Sequence, residues 1–157
     1  MNKLKFVLPV FILMAFSLHA FSQKYKRASD TVKLNKEYVE VSNDIAGLTA
    51  ELATAQQKLV ELQSKSQSAG ETAQGAANTS SEQASKATNG EVSDAKKANK
   101  KAKEAYNDAK DAESAKDDVR DQNDKIEKLS SKLKNKQDRL VELDGMRSAI
   151  HQQILKG

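Results

Sequence analysis

The chain has 157 residues, with 26 basic and 22 acidic side chains, one proline, no cysteine and no tryptophan. Lacking cysteine, it has no disulfides, no thiolate chemistry, no lipid-attachment cysteine and no cysteine-based metal site. A charged fraction of 31% against 4% aromatic residues supplies little bulky apolar material for a globular core. That balance suits long, uninterrupted helices.

Lys3 and Lys5 form a short positive leader, Phe6 to Phe16 is an almost unbroken apolar run, and Ser17 to Ser22 is a more polar exit with small residues. Ala20 and Ser22 sit two apart, as a small-x-small cleavage site requires, so residues 1–22 read as a signal peptide cut after Ser22. The alternative is a retained membrane anchor. From Phe6 to Phe21, however, there are only about sixteen residues, short of the roughly 20 a helix needs to cross a bilayer. The expected location is therefore outside the cytoplasm, periplasmic or secreted. Cleavage removes Lys3 and Lys5 and no acid, leaving 24 basic residues against 22 acidic. The mature chain is then close to neutral, and the pI of about 9.1 stops being a sign of nucleic-acid binding. The only proline, Pro9, also leaves with the leader.

Residues 23–30 read as a short extension before the first long helix, predicted over 31–88. From Leu34 the apolar positions alternate by three and four: Leu34, Tyr38, Val41, Ile45, Leu48, Leu52, Ala55, Leu59 and Leu62. This heptad pattern predicts a coiled-coil seam. A second line at every seventh residue (Val32, Val39, Ala46, Ala53, Val60) widens the apolar stripe. Beyond Leu62 the phase continues with small residues: Ser66, Ala69, Ala73, Ala76, Ser80, Ala84 and Ala87. Gly70 and Gly75 fall in this stretch, each costing about 1 kcal/mol relative to alanine in a helix. From about residue 64 the helix is therefore expected to be weak, with a flexible polar spacer as the rival.

Thr88-Asn89-Gly90-Glu91 is the best break, because Asn and Gly tolerate the left-handed conformation that ends a helix. The turn is placed at 89–92 and the second long helix at 93–156. Glu91 and Asp94 favour the positive end of the new helix, and Thr88 or Ser93 is available to cap it. One sevenfold line then runs through Ala98, Ala105, Ala112, Val119, Ile126, Leu133, Leu140 and Ile154, with Arg147 as its exception. Its companion line changes flank near Val119, from Ala95, Ala102 and Ala109 to Leu129, Leu143 and Ile150, which predicts a local change in supercoiling or a shift of partner helix.

Large-then-small before Asn89 mirrors small-then-large after Gly90. Folding at the turn sets alanine zone against alanine zone and brings the leucine zones together beside both termini. The predicted fold is all-α: a long antiparallel coiled-coil hairpin, roughly 80 to 100 Å long at 1.5 Å per residue, preferred over one continuous rod. A buried leucine contributes roughly 1.5–3 kcal/mol and an alanine methyl about 0.8. The terminal end should therefore hold firmly and the tip should fray. A lone two-helix hairpin leaves the widened stripe partly uncovered, so self-association is expected.

Among candidate sites, Lys96, Lys97, Lys100, Lys101 and Lys103 form the densest basic cluster. They are either a handle for acidic partners or anionic lipid, or a solvated face steadied by Glu104, Asp108 and Asp111. No aromatic residues accompany them for base stacking. His151 has no cysteine companion and no carboxylate three or four residues away, so it reads as a surface residue rather than a metal ligand. Gly70-x-x-x-x-Gly75 lacks the Lys-Ser/Thr that completes a phosphate loop, and Asn78-Thr79-Ser80 is a bare glycosylation sequon. Serines and carboxylates are plentiful, but a solvated coil offers no pocket to activate them. No catalytic, cofactor or metal residues are assigned, and no small-molecule substrate is expected.

The expected role is a non-enzymatic scaffold or spacer of the cell envelope, associating with itself or with another helical envelope protein. In size, leader and basic helical arms the chain is loosely similar to the Skp (OmpH-like) chaperones. That resemblance implies, as an alternative, a periplasmic holdase for unfolded clients. The family's small β-stranded trimerisation body has no counterpart among these residues, which show no period-2 strand run. A third reading is a partly disordered hydrophilic stress protein, suggested by the Ala/Ser/Thr/Lys-rich middle and opposed by the leucine heptads at both ends.

Overall fold

The computed structural model describes residues 24–156, and the leader assigned to residues 1–22 lies outside them. Two long helices make up the molecule: α1, Thr31–Ala87, of 57 residues, and α2, Val92–Lys156, of 65. A single 3-10 turn, Ala28–Asp30, precedes α1. The helices pack against each other as an all-α helical hairpin. Three cross-helix polar contacts set the register. Glu37 meets Arg139, Asp44 meets Lys136, and Ala55 meets Gln122. As numbers rise along α1 they fall along α2.

The helix starts and the bend follow from local chemistry. The Asp30 carboxylate accepts hydrogen bonds from the backbone N–H groups of Lys26 and Arg27 at 3.2 and 3.1 Å. These bonds from Arg27 and Lys26 hold its carboxyl below the usual range, since they favour the charged form. At the other end of α1, the Asn89 and Gly90 N–H groups donate to Lys86 and Ala87 carbonyls. Gly90 then takes φ +87°, the only positive φ among the described residues. A residue with a Cβ is strained there, so the reversal is written into Asn89-Gly90. Two N–H groups, of Asp94 and Ala95, donate to the Glu91 carbonyl and begin α2.

Less exposed positions on α1 run from Thr31 and Leu34 through Ser80, Gln83 and Ala87 in unbroken steps of three and four. Only Glu37, Ser42 and Gly70 are half-buried off that line. The helix passes through Gly70 and Gly75 without interruption. One position differs from expectation: Gln83 is half-buried and Ala84 exposed. The three-four rhythm decides which residue faces the partner helix, and here it selects the polar side chain over its apolar neighbour.

The seam of α2 corrects a larger expectation. Ala95, Ala102 and Ala109 are exposed, and no change of flank occurs near Val119. One phase instead holds from Asp94 to Leu143, with Lys101, Asp108, Ala115, Gln122, Leu129 and Lys136 as the companion line, all half-buried or buried. Lys101, Gln122 and Lys136 can occupy such positions because a two-helix seam is open at its edges. Their stems cover the partner helix while their heads reach water. Gln122 uses the space left by buried Ala55 to donate to the Ala55 carbonyl at 2.7 Å.

Burial is graded along the hairpin. Leu34 and Leu143 are fully buried, and Tyr25, Val41, Met146 and Ile150 join them in one cluster, with Tyr38, Ile45 and Leu140 packed alongside. Farther from the termini only Ala55, Ala112 and Leu129 are buried, while Leu48, Leu52, Leu59, Leu62, Val119, Ile126 and Leu133 are half-buried. Ile154, expected in the seam, is instead 57% exposed. It lies past the level at which α1 begins, so no helix stands opposite it. The exception Arg147 is also accounted for. Met146 takes the buried place, and the Arg147 guanidinium lies 4.6 Å from the centre of the Tyr38 ring, a cation–π contact.

Candidate functional site

The most elaborate cluster in the molecule closes the terminal end of the hairpin. Glu37, half-buried on the flank of α1 beside Tyr38, is its centre. Its Oε1 accepts from Arg139 Nε at 2.9 Å and Nη2 at 2.6 Å. Its Oε2 accepts from the Tyr25 hydroxyl at 2.6 Å and from Lys24 Nζ at 3.0 Å. Arg139 also donates through Nη1 to Glu142 at 2.6 Å. The Tyr25 hydrogen bond, followed by those of Arg139 and Lys24, holds the Glu37 carboxyl at a pKa of about 2, against the opposing pull of desolvation. Residues 24–30 are thereby strapped across the end of the helix pair. The Tyr25 ring is buried in the core, and its hydroxyl reaches the carboxylate.

The hydrogen bonds of this cluster run from side chain to side chain. It is a clasp that joins the residues before α1 to both helices. Tyr25, Glu37, Arg139, Asp44 and Lys136 were not singled out by the apolar rhythm. The signal that could find Glu37, Asp44 and Arg139 is charge beside the seam: Glu37 precedes Tyr38, Asp44 precedes Ile45, and Arg139 precedes Leu140. The same register brings Glu51, Lys58 and Lys65 to the levels of Lys125, Asp118 and Asp111, opposite in sign at each level.

The five lysines near the tip occupy an arc of about 160° on α2. Lys97 pairs with Asp94 at 3.1 Å, and Glu104 receives both Lys101 at 2.7 Å and Lys100 at 3.9 Å. Lys101 is half-buried on the seam, while Lys96 and Lys103 are exposed with no ion pair among the described residues. Lys96, Lys100 and Lys103 share one exposed line, with Lys97 beside it and Lys101 at the seam. His151 is exposed near the end of α2. Among the described residues no three acidic or histidine side chains are grouped to hold a metal ion, and no helix is long and apolar enough to cross a membrane.

Two shallow grooves run between the helices. One, of about 730 Å³, is lined by small residues such as Gly70, Ala73 and Ala112, with Glu113, Lys116, Asp117 and Arg120 on its α2 edge. The other, of about 400 Å³ at the terminal end, includes Leu34, Asn35, Asp144 and His151. Both open on the flank opposite the Glu37–Arg139 pair. Along that flank from Val32 to Ala84, the sevenfold lines starting at Val32 and Asn35 carry no charged residue. Val32, Val39 and Val60 on it are 80%, 56% and 66% exposed. Compared with protein-family models, curated proteins and solved structures, the chain matches none of them.

Proposed function

We propose that the chain is an exported, non-enzymatic coiled-coil protein that acts as a structural or interaction scaffold of the cell envelope. The observation that carries this reading is the three-four rhythm, unbroken along α1 and held on α2 from Asp94 to Leu143, since a heptad seam is an association surface and a spacer in one. The grooves are shallow, and the most connected polar cluster is a clasp whose groups bond to one another. Neither favours chemistry on a substrate. The leader supports export, and the absence of cysteine suits a protein whose stability comes from helix pairing alone.

The experiment is residue-specific photo-cross-linking from positions on the uncharged flank, in intact envelopes, with the products identified by mass. A scaffold gives a few discrete helical products, or the chain itself. The holdase alternative draws support from the lysines near the tip and predicts something different. It requires a smear of many unfolded clients, together with suppressed aggregation of a denatured outer-membrane protein at stoichiometric ratio. Absence of both patterns, with the protein free in solution, would sink the scaffold reading.

A further inference from the structure

Charge is sorted around α1 with a sharpness that folding of the hairpin does not demand. One flank carries Glu37, Asp44, Glu51, Lys58 and Lys65, and facing residues of α2 supply opposite signs at those levels. The other flank has Val32, Val39, Ala46, Ala53 and Val60 on one line and Asn35, Ser42, Thr49, Gln56 and Gln63 on the next. Both lines stay uncharged as far as Gln74 and Ala84. Three exposed valines on a fixed line of a helix are not needed for pairing with α2, which covers the seam and leaves them in water.

Resting on the reading of the chain as a helical interaction protein, we propose that this uncharged flank of α1 docks a second copy of the chain, side by side and in the same direction. The chemistry of the face selects the occupant. The two α1 lines give an acidic or basic partner no counter-charge, and the charges of α2 along the groove edges are of both signs, among them Lys116, Asp117, Asp144 and Arg147; what suits the α1 lines is a partner that is itself uncharged. An uncharged helical face of equal length fits, in the sense that it loses no charge hydration on contact and its side chains repeat at the same sevenfold spacing. The chain carries one such face itself.

Area selects the direction. A helix of 57 residues is about 85 Å long and about 10 Å wide. A full-length contact therefore covers about 850 Å² per copy, within the class of stable interfaces. An antiparallel contact that matched the valine line to itself would centre on Ala46. It would overlap over only about half of α1 and fall to about 900 Å² in total, at the weak end of that scale. The parallel arrangement alone aligns Val32, Val39 and Val60 with their own counterparts and uses the whole helix. Both grooves open on this flank, and the ion pairs at their edges, Arg120 with Asp117 and Arg147 with Asp144, lie within α2, so the approaching copy meets recessed surface along α1.

The chain has no cysteine, which makes single-cysteine probes clean. In the full exported chain, Val39→Cys and Val60→Cys should each form a disulfide-linked dimer under mild oxidation. Lys58→Cys, on the charged flank, should not. Sedimentation equilibrium should give a mass of two chains for the unmodified protein. Val39→Glu, at an already exposed position, should give the mass of one chain with unchanged helical circular dichroism. Coupling between Val32→Cys and Val60→Cys chains without self-coupling of either would overturn the parallel direction. A fully helical monomer at every concentration would overturn self-docking and leave the scaffold reading to a different partner. A monomer that lost its helicity would sink that reading as well.

Discussion

Arg139 places two nitrogens on a single oxygen of Glu37, at 2.9 and 2.6 Å, across 102 residues of sequence. The pair ties the start of α1 to the last third of α2, and through Tyr25 it ties down the residues before α1 as well. A clasp at this end is where a hairpin with a graded seam benefits most. It locks the register of the leucine-rich layers, and every later layer inherits that register.

The clasp has a pH signature. The folded Glu37 carboxyl, at about 2, lies below its value in the unfolded chain. Its contribution is therefore present in full above about pH 4.5 and is lost as pH falls through the carboxylate range toward 2. Discounted for the water that reaches it, the contribution is on the order of 2 kcal/mol. Urea melts at pH 7 and pH 3 should show this loss in the natural chain and much less of it in Glu37→Gln. An equal pH dependence in both would remove Glu37 from the account.

Tyr25 acts through two separable parts. Tyr25→Phe keeps the buried ring and removes the hydroxyl, and should cost about 1 kcal/mol. Tyr25→Ala also vacates the core and should cost about 3 kcal/mol. Chemical denaturation measures both. Identical losses would mean that the ring, buried as it is, contributes nothing.

Stability should fall from the termini toward the bend. Leu143→Ala, at a fully buried position, should cost about 3 kcal/mol, and Leu133→Asp or Leu52→Asp should disrupt the helix pair. Ala76→Asp, in the alanine zone, should be milder. Native-state hydrogen exchange should find the slowest amides around Leu34 and Leu143 and faster ones between Gly70 and Lys110. Uniform protection along both helices would contradict the gradient.

Two glycines should respond with opposite signs to the same change. Gly75 lies mid-helix with nothing within 4 Å of an added Cβ, so Gly75→Ala should stabilise by about 0.5–1 kcal/mol. Gly90 also has open space but sits at φ +87°, so Gly90→Ala should destabilise by about 1 kcal/mol. Thermal melts of the two variants make the comparison.

The leucine and isoleucine heptads announced the hairpin because large side chains at three-four spacing have few other uses. The seam of α2 was harder to read, since Lys101, Asp108, Gln122 and Lys136 hold positions where an apolar rhythm was sought. Exposed Ala95, Ala102 and Ala109 fit that rhythm better on paper. A half-open seam accepts any long side chain whose stem can lie on the neighbour, and hydrophobicity alone cannot detect such a residue. Tyr25 was invisible for another reason. Its partners lie on two different helices, and no local pattern records a contact with Glu37 that also depends on Arg139.

Distance between spin labels at Glu51→Cys and Lys125→Cys tests the hairpin most directly, with the doubly labelled chain diluted in unlabelled protein to suppress signals between copies. Helices packed about 10 Å apart predict a narrow distribution within about 20 Å. A continuous rod would hold these positions about 110 Å apart. Loss of the short distance on dilution would therefore contradict a chain folded back upon itself at Asn89-Gly90.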